Sequence, residues 1–306
     1  KRGDFMWSTT LTFDMNRNKI LDLGPDIEMM PNNVSKGIFK EEPTRLMLNQ
    51  PIGIIWGYEC AGNYQLEDFE ITYAGTDIPV DPSLVTSANF NDFSYKLKEG
   101  VTSVNGVTVK PGDRKFKDLS GDNVVKEGED KKVIGNSLPD FTYGLGNTLS
   151  WRGLEFYIFF QGVQGRDILN EFKARSTSGE GFSTYMYNVT KESFYKAWRP
   201  ENGSNTYSRL RNSLNVQQPV SSFYVEDGSY LKLKTLSLAY NLPSAVCKAI
   251  RFTGLKLSFT VDNVWCWTKY SGLDPDISSS NATFQGVDRM GYPTGRTFTF
   301  GLVANF

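Results

Sequence analysis

The sequence predicts an all-β fold of antiparallel strands of the transmembrane barrel type. Three observations lead to this prediction: apolar and polar residues alternate in several segments, the segments are joined by connections of two distinct lengths, and aromatic residues are abundant, with 21 Phe, 15 Tyr and 6 Trp. Barrel strands alternate because one face meets lipid and the other the lumen, and aromatic rings gather at the membrane interfaces. No apolar run reaches about 18 residues, which excludes a transmembrane helix.

The end of the chain shows the alternation most clearly. From residue 297 onwards the even positions are apolar or small: Phe298, Phe300, Leu302, Ala304 and Phe306. The odd positions between them are small or polar, except for Val303. A period of two places the two sets on opposite faces of a strand.

The same period recurs along the chain and predicts nine strands. They span residues 5–15, 19–29, 43–48, 53–60, 141–151, 154–162, 229–240, 253–264 and 296–306. The two-residue link Arg152-Gly153 predicts a hairpin between the fifth and sixth strands. In the seventh strand the apolar residues change parity between Leu233 and Leu236, which predicts a bulge.

The connections between these strands alternate in length. The short ones are residues 16–18, 49–52, 152–153 and 241–252, and the longer ones are 30–42, 61–140, 163–228 and 265–295. In an up-and-down order all short connections fall on one side, as the periplasmic turns of outer-membrane barrels do. Since single-chain bacterial barrels have even strand numbers, nine strands predict that the chain is part of a larger barrel.

The composition excludes several classes of function. A net charge of −1 provides no basic field for nucleic acid. The chain has no histidine, so histidine-based catalytic triads and His-ligated metal sites are excluded. Its cysteines, Cys60, Cys247 and Cys266, are too widely spaced for a metal knuckle. No pair of nucleophile and base can be assembled, and we predict no catalytic residue and no enzyme.

Five motifs follow one another along the chain from residue 111. They are PGDRKFKDLSGDN (111–123), VIGNSLPDFTYGLGNTLSWRGLEFYIFFQGVQGRDI (133–168), VEDGSYLKLKTLSLAYNLP (225–243), DNVWCWTKYSGLDPD (262–276) and GVDRMGYPTGRTFTFGLVANF (286–306). In this order they resemble the C-terminal part of SusC-like TonB-dependent transporters of Bacteroidetes, and NQPIGIIWGYECAGNYQLEDF (49–69) is similar to the segment before them. Ser208 and Gly295 stand where the family is expected to carry proline, and Asn123 where it often has glycine.

The resemblance implies that residues 1–306 are the C-terminal part of a 22-strand barrel, with the plug domain and the TonB box outside this chain. It implies import of oligosaccharides or peptides across the outer membrane, a SusD-like surface lipoprotein as lid, and contact with TonB through the absent N-terminal region. On the last strand, Phe298, Phe300, Leu302 and Phe306 would face outer-membrane lipid. The terminal Phe306 would belong to the signal that the barrel-assembly machinery recognises.

One acidic segment, DLSGDNVVKEGE (118–129), is similar to a calcium loop. Its candidate ligands are Asp118, Ser120, Asp122, the carbonyl of Val124, and Glu129. Asn123 replaces the glycine that the sharp turn of the template needs, and Lys126 stands where a water-mediated ligand belongs. An acidic extracellular turn without metal is the preferred interpretation, and calcium as a cofactor is the alternative.

Aromatic and polar residues of the long connections are the candidate substrate contacts. They are Trp198, Tyr207, Arg209, Asp227, Trp265, Trp267, Tyr270 and Asp274. Rings can stack on sugars or pack against peptide side chains, but loop packing, lid contact or a membrane-interface girdle is the preferred role for each of these residues. For Trp265 and Trp267, which follow a predicted strand directly, the girdle is the preferred interpretation.

Two other functions are open at this point. A secreted all-β glycan-binding module would also alternate, with its aromatic residues facing a ligand instead of lipid. A self-contained small porin would need an even number of strands that closes within the chain. Pairing between the first and last strands would support the porin, and solubility without detergent would support the glycan-binding module.

Overall fold

The computed structural model describes residues 4–32, 36–177, 188–211, 218–277 and 286–306, and its longest strands form one antiparallel sheet. The six strands are β1 (Phe5–Asp14), β2 (Phe141–Trp151), β3 (Leu154–Gln164), β4 (Tyr230–Asn241), β5 (Gly254–Thr268) and β6 (Thr297–Asn305). Each strand pairs with the next one along the chain. The predicted antiparallel, up-and-down all-β fold is confirmed.

The register aligns the apolar positions of all six strands on one face, called here the apolar face. One row of cross-strand neighbours on it is Trp7, Leu149, Phe156, Leu238, Phe259 and Phe300. The adjacent row, one residue along each strand, is Ser8, Thr148, Tyr157, Ser237, Thr260 and Thr299. Because successive side chains point to opposite sides of a sheet, this second row belongs to a polar face.

Two predicted irregularities are confirmed. The link between β2 and β3 has positive φ at both residues, 47° at Arg152 and 86° at Gly153. Two positive φ values identify a type I′ turn, whose twist fits a two-residue hairpin. In β4 the register shifts at Lys234 against both β3 and β5. This bulge explains why apolar residues on the two sides of it occupy opposite parities and still share the apolar face.

Three of the nine predicted strands are not part of this sheet, so those predictions are wrong. Residues 19–28 form no strand, because the Gly24-Pro25-Asp26 turn, with positive φ at Gly24 and Asp26, interrupts them. The predicted strands 43–48 and 53–60 shorten to Arg45–Met47 and Ile54–Tyr58, and the second pairs with Lys131–Asn136. Ile54 and Ile55 are buried among the connections, and Leu46 and Met47 are half-buried there.

The sheet contains six strands, which corrects the predicted number of nine. The predicted separation of short and long connections to opposite ends of the strands is still observed. Residues 152–153 and 242–253 leave one end of the sheet, whereas residues 15–140, 165–229 and 269–296 leave the other. The predicted short turns 16–18 and 49–52 lie inside the first of these long connections. Short connections therefore occupy one side and long connections the opposite side, as in outer-membrane barrels.

The sheet does not close on itself. Within the described parts of the chain, β1 pairs only with β2, and β6 pairs only with β5. Both edge strands therefore present a row of unpaired backbone groups. A self-contained porin requires closure, so this pairing argues against that alternative.

The three long connections pack together into a unit, called here the cap. One apolar core of the cap contains Tyr64, Leu66, Phe69, Ile71, Val80, Val85, Phe93, Val109 and Trp198. A second contains Ile38, Phe39, Ile55, Leu169, Ala174, Val220 and Tyr224, with Val287 packed against it. Since each core joins residues from at least two connections, the cap is held together by tertiary packing and not by local propensity.

Short elements build the cap. Its strands are Met29–Pro31, Arg45–Met47, Ile54–Tyr58, Cys60–Asn63, Phe69–Tyr73, Phe93–Leu97, Ser103–Val104, Arg114–Phe116, Val124–Val125, Lys131–Asn136, Asp167–Asn170, Val225–Asp227 and Val287–Asp288. The α-helices are Glu171–Ser176 and Lys191–Lys196 in the cap and Ser244–Ala249 in the second short connection. The 3-10 helices are Leu66–Asp68, Pro82–Leu84, Phe90–Asp92 and Ser222–Tyr224. Among the described residues, no helix combines the length and apolar composition that crossing a membrane requires.

Candidate functional site

The apolar face has the pattern expected of a lipid-facing barrel wall. Five rows of side chains lie on it, and at about 6.6 Å per pair of residues they span about 26 Å along the strands. Aromatic residues occupy both outermost rows, with Phe5, Trp151 and Tyr240 next to the short connections and Phe13, Tyr143 and Trp267 next to the cap. An apolar band about 25 Å tall between two aromatic girdles is the signature of such walls.

The polar face carries hydroxyl, amide and charged groups that pair across strands. Ser237 and Thr260 lie with their hydroxyl oxygens 2.8 Å apart, and Thr235 Oγ1 donates to Asp262 Oδ1 at 2.8 Å. Lys256 Nζ donates to Glu155 Oε2 at 2.6 Å near the short connections. These side chains suit a hydrated lumen, because each finds a polar partner on another strand of the sheet.

Three clefts formed by described residues contain six of the eight predicted substrate contacts, and Trp267 and Tyr270 line none of the three. The first, of about 580 Å³, is lined by Ser87, Phe90, Asn91, Ala197, Trp198, Arg199, Pro200, Arg209, Leu210 and Arg211 and is called here the arginine cleft. The second, of about 450 Å³, is lined by Phe172, Lys173, Ser176, Thr177, Thr190, Glu192, Ser193, Tyr207, Glu226, Asp227, Lys269 and Ser271. The third, of about 280 Å³, is lined by Lys232, Asn263, Trp265, Cys266, Thr268, Leu273, Asp274, Pro275, Pro293, Thr294 and Arg296.

Two of the predicted substrate contacts are buried in packing positions. Trp198 is 3% exposed in the first core of the cap, and its Nε1 donates to Gln65 Oε1 at 2.9 Å. Tyr270 is 5% exposed, and its hydroxyl donates to Asp288 Oδ2 at 2.6 Å. Burial raises the pKa of the Tyr270 phenol, which stays neutral. Both rings have structural roles because little of their surface reaches solvent.

Three others line clefts with polar partners. Arg209 Nε donates to Asp113 Oδ1 at 2.7 Å in the arginine cleft. Asp227 lines the second cleft and accepts from the Ser229 amide at 2.9 Å, and hydrogen bonds from Ser229 lower the pKa of its carboxyl. Tyr207 is half-buried in the same cleft, and burial raises its pKa. These side chains remain candidates for ligand contact.

The tryptophans at the cap end of β5 lie on the apolar face. Trp265 and Trp267 oppose Leu233 and Leu231 on β4, and both are about half exposed. This position favours the girdle interpretation over substrate contact. Of the two, only Trp265 also borders the third cleft among the residues described.

Asp274 anchors the third long connection to β4. Lys232 Nζ donates to Asp274 Oδ1 at 2.8 Å and to Asp276 Oδ2 at 3.1 Å, and Thr294 Oγ1 also donates to Asp274. Burial raises the pKa of Asp274, but hydrogen bonds from Lys232 and Thr294 outweigh it and lower that pKa to about 2. The side chain of Lys232 is 5% exposed, so this ion pair is largely shielded from solvent.

Sequence reasoning missed several charged residues of these clefts. Arg199 and Arg211 join Arg209 in the arginine cleft, although only Arg209 was predicted. The two-residue spacing of Arg209 and Arg211 in an extended segment, which puts both on one side, was the available signal. Lys232 stands out in sequence as a cation within an alternating strand and finds its carboxylates about 40 residues later.

Hydrogen bonds within the predicted calcium loop hold its side chains, and Ser120 Oγ lies 3.0 Å from Asp118 Oδ1 and 3.2 Å from Asp122 Oδ1. Asp118 accepts hydrogen bonds from the amides of Gly121 and Asn123, at 2.7 Å and 2.6 Å. The Lys126 ammonium binds both Asp122 and Glu129, 2.9 Å from the Glu129 carboxylate, so a cation of the protein lies where a metal would be needed. Among the described residues no group of three Asp, Glu, His or Cys side chains could hold a metal ion. The residues do not fit calcium, whose binding here stays a prediction.

Comparisons with known proteins agree with this arrangement. The chain matches no protein-family model. It is 31% identical over 310 residues to TonB-dependent receptor P3 of Formosa agariphila, which covers 99% of this chain and 27% of that receptor. It is 23% identical over 217 residues to the TonB-dependent receptor SusC of Bacteroides thetaiotaomicron, covering 70% of this chain and 19% of SusC. The chain thus spans about a quarter of the length of the curated relatives it matches over its full length.

A solved structure shares the fold. The RagAB peptide importer in its closed-closed state matches with a TM-score of 0.66 at 19% identity, over 100% of this chain and 28% of that chain. Its open-open state matches with a TM-score of 0.65 at 18% identity. The predicted fold class, strands of a TonB-dependent transporter barrel, is confirmed.

Proposed function

We propose that this chain forms one section of the wall and the outer loops of an importer. The premise is that the chain is the barrel portion of a SusC-like TonB-dependent receptor in the bacterial outer membrane. The sequence motifs predicted a SusC-like TonB-dependent receptor and a location in the outer membrane, and these relatives confirm both predictions. The import activity is the proposal.

The observation that carries the proposal is the two-faced sheet. Its register places an apolar face between two aromatic girdles and a polar face on the opposite side, and all long connections leave one end. Such a sheet is stable where lipid covers one face and water the other. The polar face then lines a lumen, and the cap, at the end of the long connections, receives substrate.

The rest of the importer is proposed from the family. The open edges of β1 and β6 cannot meet lipid with unpaired backbone groups, so we assign further strands of a 22-strand barrel to both. The chain would be its C-terminal part. A plug domain, contact with TonB and a SusD-like lipoprotein lid over the cap complete the proposal. Its cargo would be oligosaccharides or peptides, and RagAB itself is a peptide importer.

Neither rival function is favoured. The open edges argue against a self-contained porin, and an apolar face with Phe300 82% and Trp7 63% exposed argues against a secreted glycan-binding module, since soluble monomers rarely expose such a patch. The relatives are named as receptors and importers, and we propose transport without catalysis.

Purification of the complete receptor that carries this sequence tests the proposal. Tagged on its polypeptide and extracted with detergent from native outer membranes, it is expected to bring down a lipid-modified surface protein in equimolar amount. Uptake of its cargo should stop when the proton-motive force is dissipated. A receptor that purifies without any lipoprotein, or whose uptake is unaffected by loss of that energy, would contradict the proposal.

A further inference from the structure

One buried arginine has no counter-ion among the described residues. Arg166 lies two residues beyond the end of β3, at the cap end of the sheet, and is 8% exposed. Its Nε and Nη2 atoms are buried and donate no hydrogen bond, and no carboxylate in the described parts of the chain forms an ion pair with it. Arginine stays charged in proteins, and a buried charge without a partner is strongly unfavourable.

The acidic side chains around Arg166 are held by other donors. Asp167, the next residue, accepts from a backbone amide at 2.8 Å, and Asp227 accepts from another at 2.9 Å. The buried Asp288 accepts from the Tyr270 hydroxyl at 2.6 Å. Each of these carboxylates therefore binds a group other than the guanidinium of Arg166.

The ion pairs next to Arg166 contain fewer carboxylates than cations. Lys232 Nζ lies 2.8 Å from Asp274 Oδ1 and 3.1 Å from Asp276 Oδ2. Lys234 Nζ lies 3.8 Å from the same Asp276 oxygen. Asp276 also interacts electrostatically with Arg166, but beyond the distance of an ion pair. Three cations thus share two carboxylates, which leaves one positive charge in excess.

The rest of the sequence offers one further acidic side chain. Glu180 is the only Asp or Glu outside the described residues. In the third long connection, residues 278–285 include neither Asp nor Glu. The counter-ion of Arg166 is therefore Glu180 or a group from outside this chain.

The position of β3 limits the direction from which an outside group can come. β3 lies between β2 and β4 in the sheet, so strands from elsewhere in the barrel do not flank Arg166. Tyr230, which interacts electrostatically with Arg166, opposes Val163 of β3 on the polar face. An outside group therefore reaches Arg166 from the side of the polar face, which is the lumen of the proposed importer.

We propose that Arg166 binds a carboxylate of the plug domain, presented to it from the lumen of the complete receptor; this rests on the proposed function. Nε and Nη2 form one edge of the planar guanidinium, and such an edge binds both oxygens of a carboxylate through two parallel hydrogen bonds. Because this chain covers both atoms, pairing turns the side chain towards the lumen. The pair neutralises the excess charge and attaches the plug to the wall beside the cap.

The sign of the stability change in Arg166→Met tests whether a partner exists. The variant is made in the complete receptor in detergent, and its melting temperature is followed by tryptophan fluorescence. Lys232→Met removes a cation with two known carboxylate partners and serves as the reference, and Lys96→Met removes an exposed one and serves as the control.

We expect Arg166→Met to lower the melting temperature by about 2 °C or more, as Lys232→Met does, because a buried carboxylate loses its partner. The control should leave it unchanged. A melting temperature that rises or does not change in Arg166→Met would overturn the inference, since removing an unpaired buried charge does not destabilise a protein.

Double-mutant cycles identify the partner. Each Asp and Glu of the plug domain is changed to Asn or Gln, alone and together with Arg166→Met, and Glu180→Gln is treated in the same way. We expect one plug substitution to lower the melting temperature of the wild type and to have no further effect in Arg166→Met.

Three results of these cycles would contradict the plug assignment. They are coupling to Glu180, coupling to none of the plug carboxylates, and an effect of Arg166→Met that disappears when chloride is replaced by gluconate, which would identify a small inorganic anion as the partner. Co-purification of the lipoprotein and energy-dependent uptake are read separately, so the importer proposal can stand when this one fails.

Discussion

Single carboxylates hold the connections of the cap to one another and to the sheet. Asp130, fully buried, accepts from the amides of Leu119 and Lys126, both at 2.7 Å, and so closes the turn between them. Asp274 ties the third connection to Lys232 on β4. A buried hydrogen-bonded carboxylate is costly to remove, because its partner is left with an unmatched charge or donor.

Asp274→Asn tests this anchoring through its pH dependence. The folded pKa, about 2, lies below the ordinary 3.8, so the charge of Asp274 stabilises the fold above pH 4 and this contribution is lost as pH falls towards 2. We expect the variant to lose about 2 kcal/mol of unfolding free energy at pH 7 and the difference to shrink below pH 4. Denaturant unfolding followed by tryptophan fluorescence measures both. Asp77→Asn, at an exposed position, is the control, and a difference independent of pH would contradict the assignment.

Gly112→Ala tests the packing behind the arginine cleft. The new methyl group would overlap the Trp198 ring, and it would be attached to a residue with a φ of +83°. We expect overpacking to lower the free energy of unfolding by about 1–3 kcal/mol, in addition to the cost of the backbone strain. Gly100→Ala is the matched control, since Gly100 has a φ of +80° and no atom within 4 Å of its added methyl. Thermal unfolding of both variants separates the two effects. Equal melting temperatures would show that Trp198 yields without cost.

At the scale of single residues, the sequence predicts which side chains could contact a ligand better than it predicts whether those side chains are buried. Trp198 and Tyr270 are aromatic residues of the long connections, for which the sequence leaves substrate contact and loop packing open, and tertiary packing buries both. Burial of a loop residue depends on contacts with distant segments, which no local pattern encodes. Arg209, predicted as a substrate contact, lines the arginine cleft, and that contact stays a prediction. Arg199 comes from a separate turn, and only the folded cap brings the two residues together.

Among the elements, the β2–β3 hairpin has the strongest local signal. Its first turn residue, Arg152, has a φ of 47°, a conformation that costs most non-glycine residues about 1–2 kcal/mol and asparagine less. Arg152→Asn is therefore expected to stabilise the fold by about 0.5–1 kcal/mol. The exposed ion pair of Arg152 with Asp4, which the substitution removes, contributes little.

Gly153→Val should have the opposite effect. Gly153 has a φ of 86°, and a Cβ there would lie 2.6 Å from the Asn241 carbonyl oxygen. We expect the free energy of unfolding to fall by about 2 kcal/mol or more, because a β-branched residue at positive φ is strained even without the clash. Refolding yield of the receptor in detergent ranks the two variants against wild type. A ranking in which both substitutions destabilise equally would refute the type I′ assignment.

The elements also show where periodicity fails as a predictor. Six of the nine predicted strands lie in the sheet, and these are the ones with the longest regular alternation. The segment 53–60 alternates too little to be distinguished from a buried strand. Ile54 and Ile55 are both buried in the cap, and Ile55 belongs to its second apolar core. Short apolar runs are ambiguous since a cap core and a membrane demand the same residue types.

At the scale of the whole molecule, function follows from which environment covers each face. The middle row of the apolar face contains Ile158, Leu236, Val261 and Phe298, with Asn147 and Thr9 at the β1 end. Asn147 Oδ1 accepts from Thr9 Oγ1 at 2.7 Å and from Trp7 Nε1 at 3.0 Å. These bonds satisfy polar groups at membrane depth within the sheet itself, which lowers the cost of placing them in lipid.

The predicted assembly signal lies on this face. Phe298, Phe300, Leu302 and Phe306 are all more than half exposed, and the Phe306 ring contacts the ring of Phe252 at 5.0 Å between centroids. Their lipid contact agrees with the register, whereas recognition by the assembly machinery stays a prediction. The alternation of apolar and polar positions was sufficient to predict which face of the sheet these residues occupy, because alternate residues of a strand point to opposite faces.

A pair of arginine substitutions on β6 decides whether lipid covers the apolar face. Phe298 lies in its middle row, where a buried arginine costs about 2–4 kcal/mol in a barrel wall, whereas Thr299 lies on the polar face, where the same residue would meet water. Phe298→Arg should therefore lower the yield of assembled, heat-modifiable barrel in the outer membrane and the stability of what is formed, while Thr299→Arg should leave both near wild type. Since the two positions are adjacent and the added charge is identical, only the environment of the face differs between them. Equal tolerance of both would mean that water covers both faces, and loss with Thr299→Arg alone would mean that the polar face is the buried one.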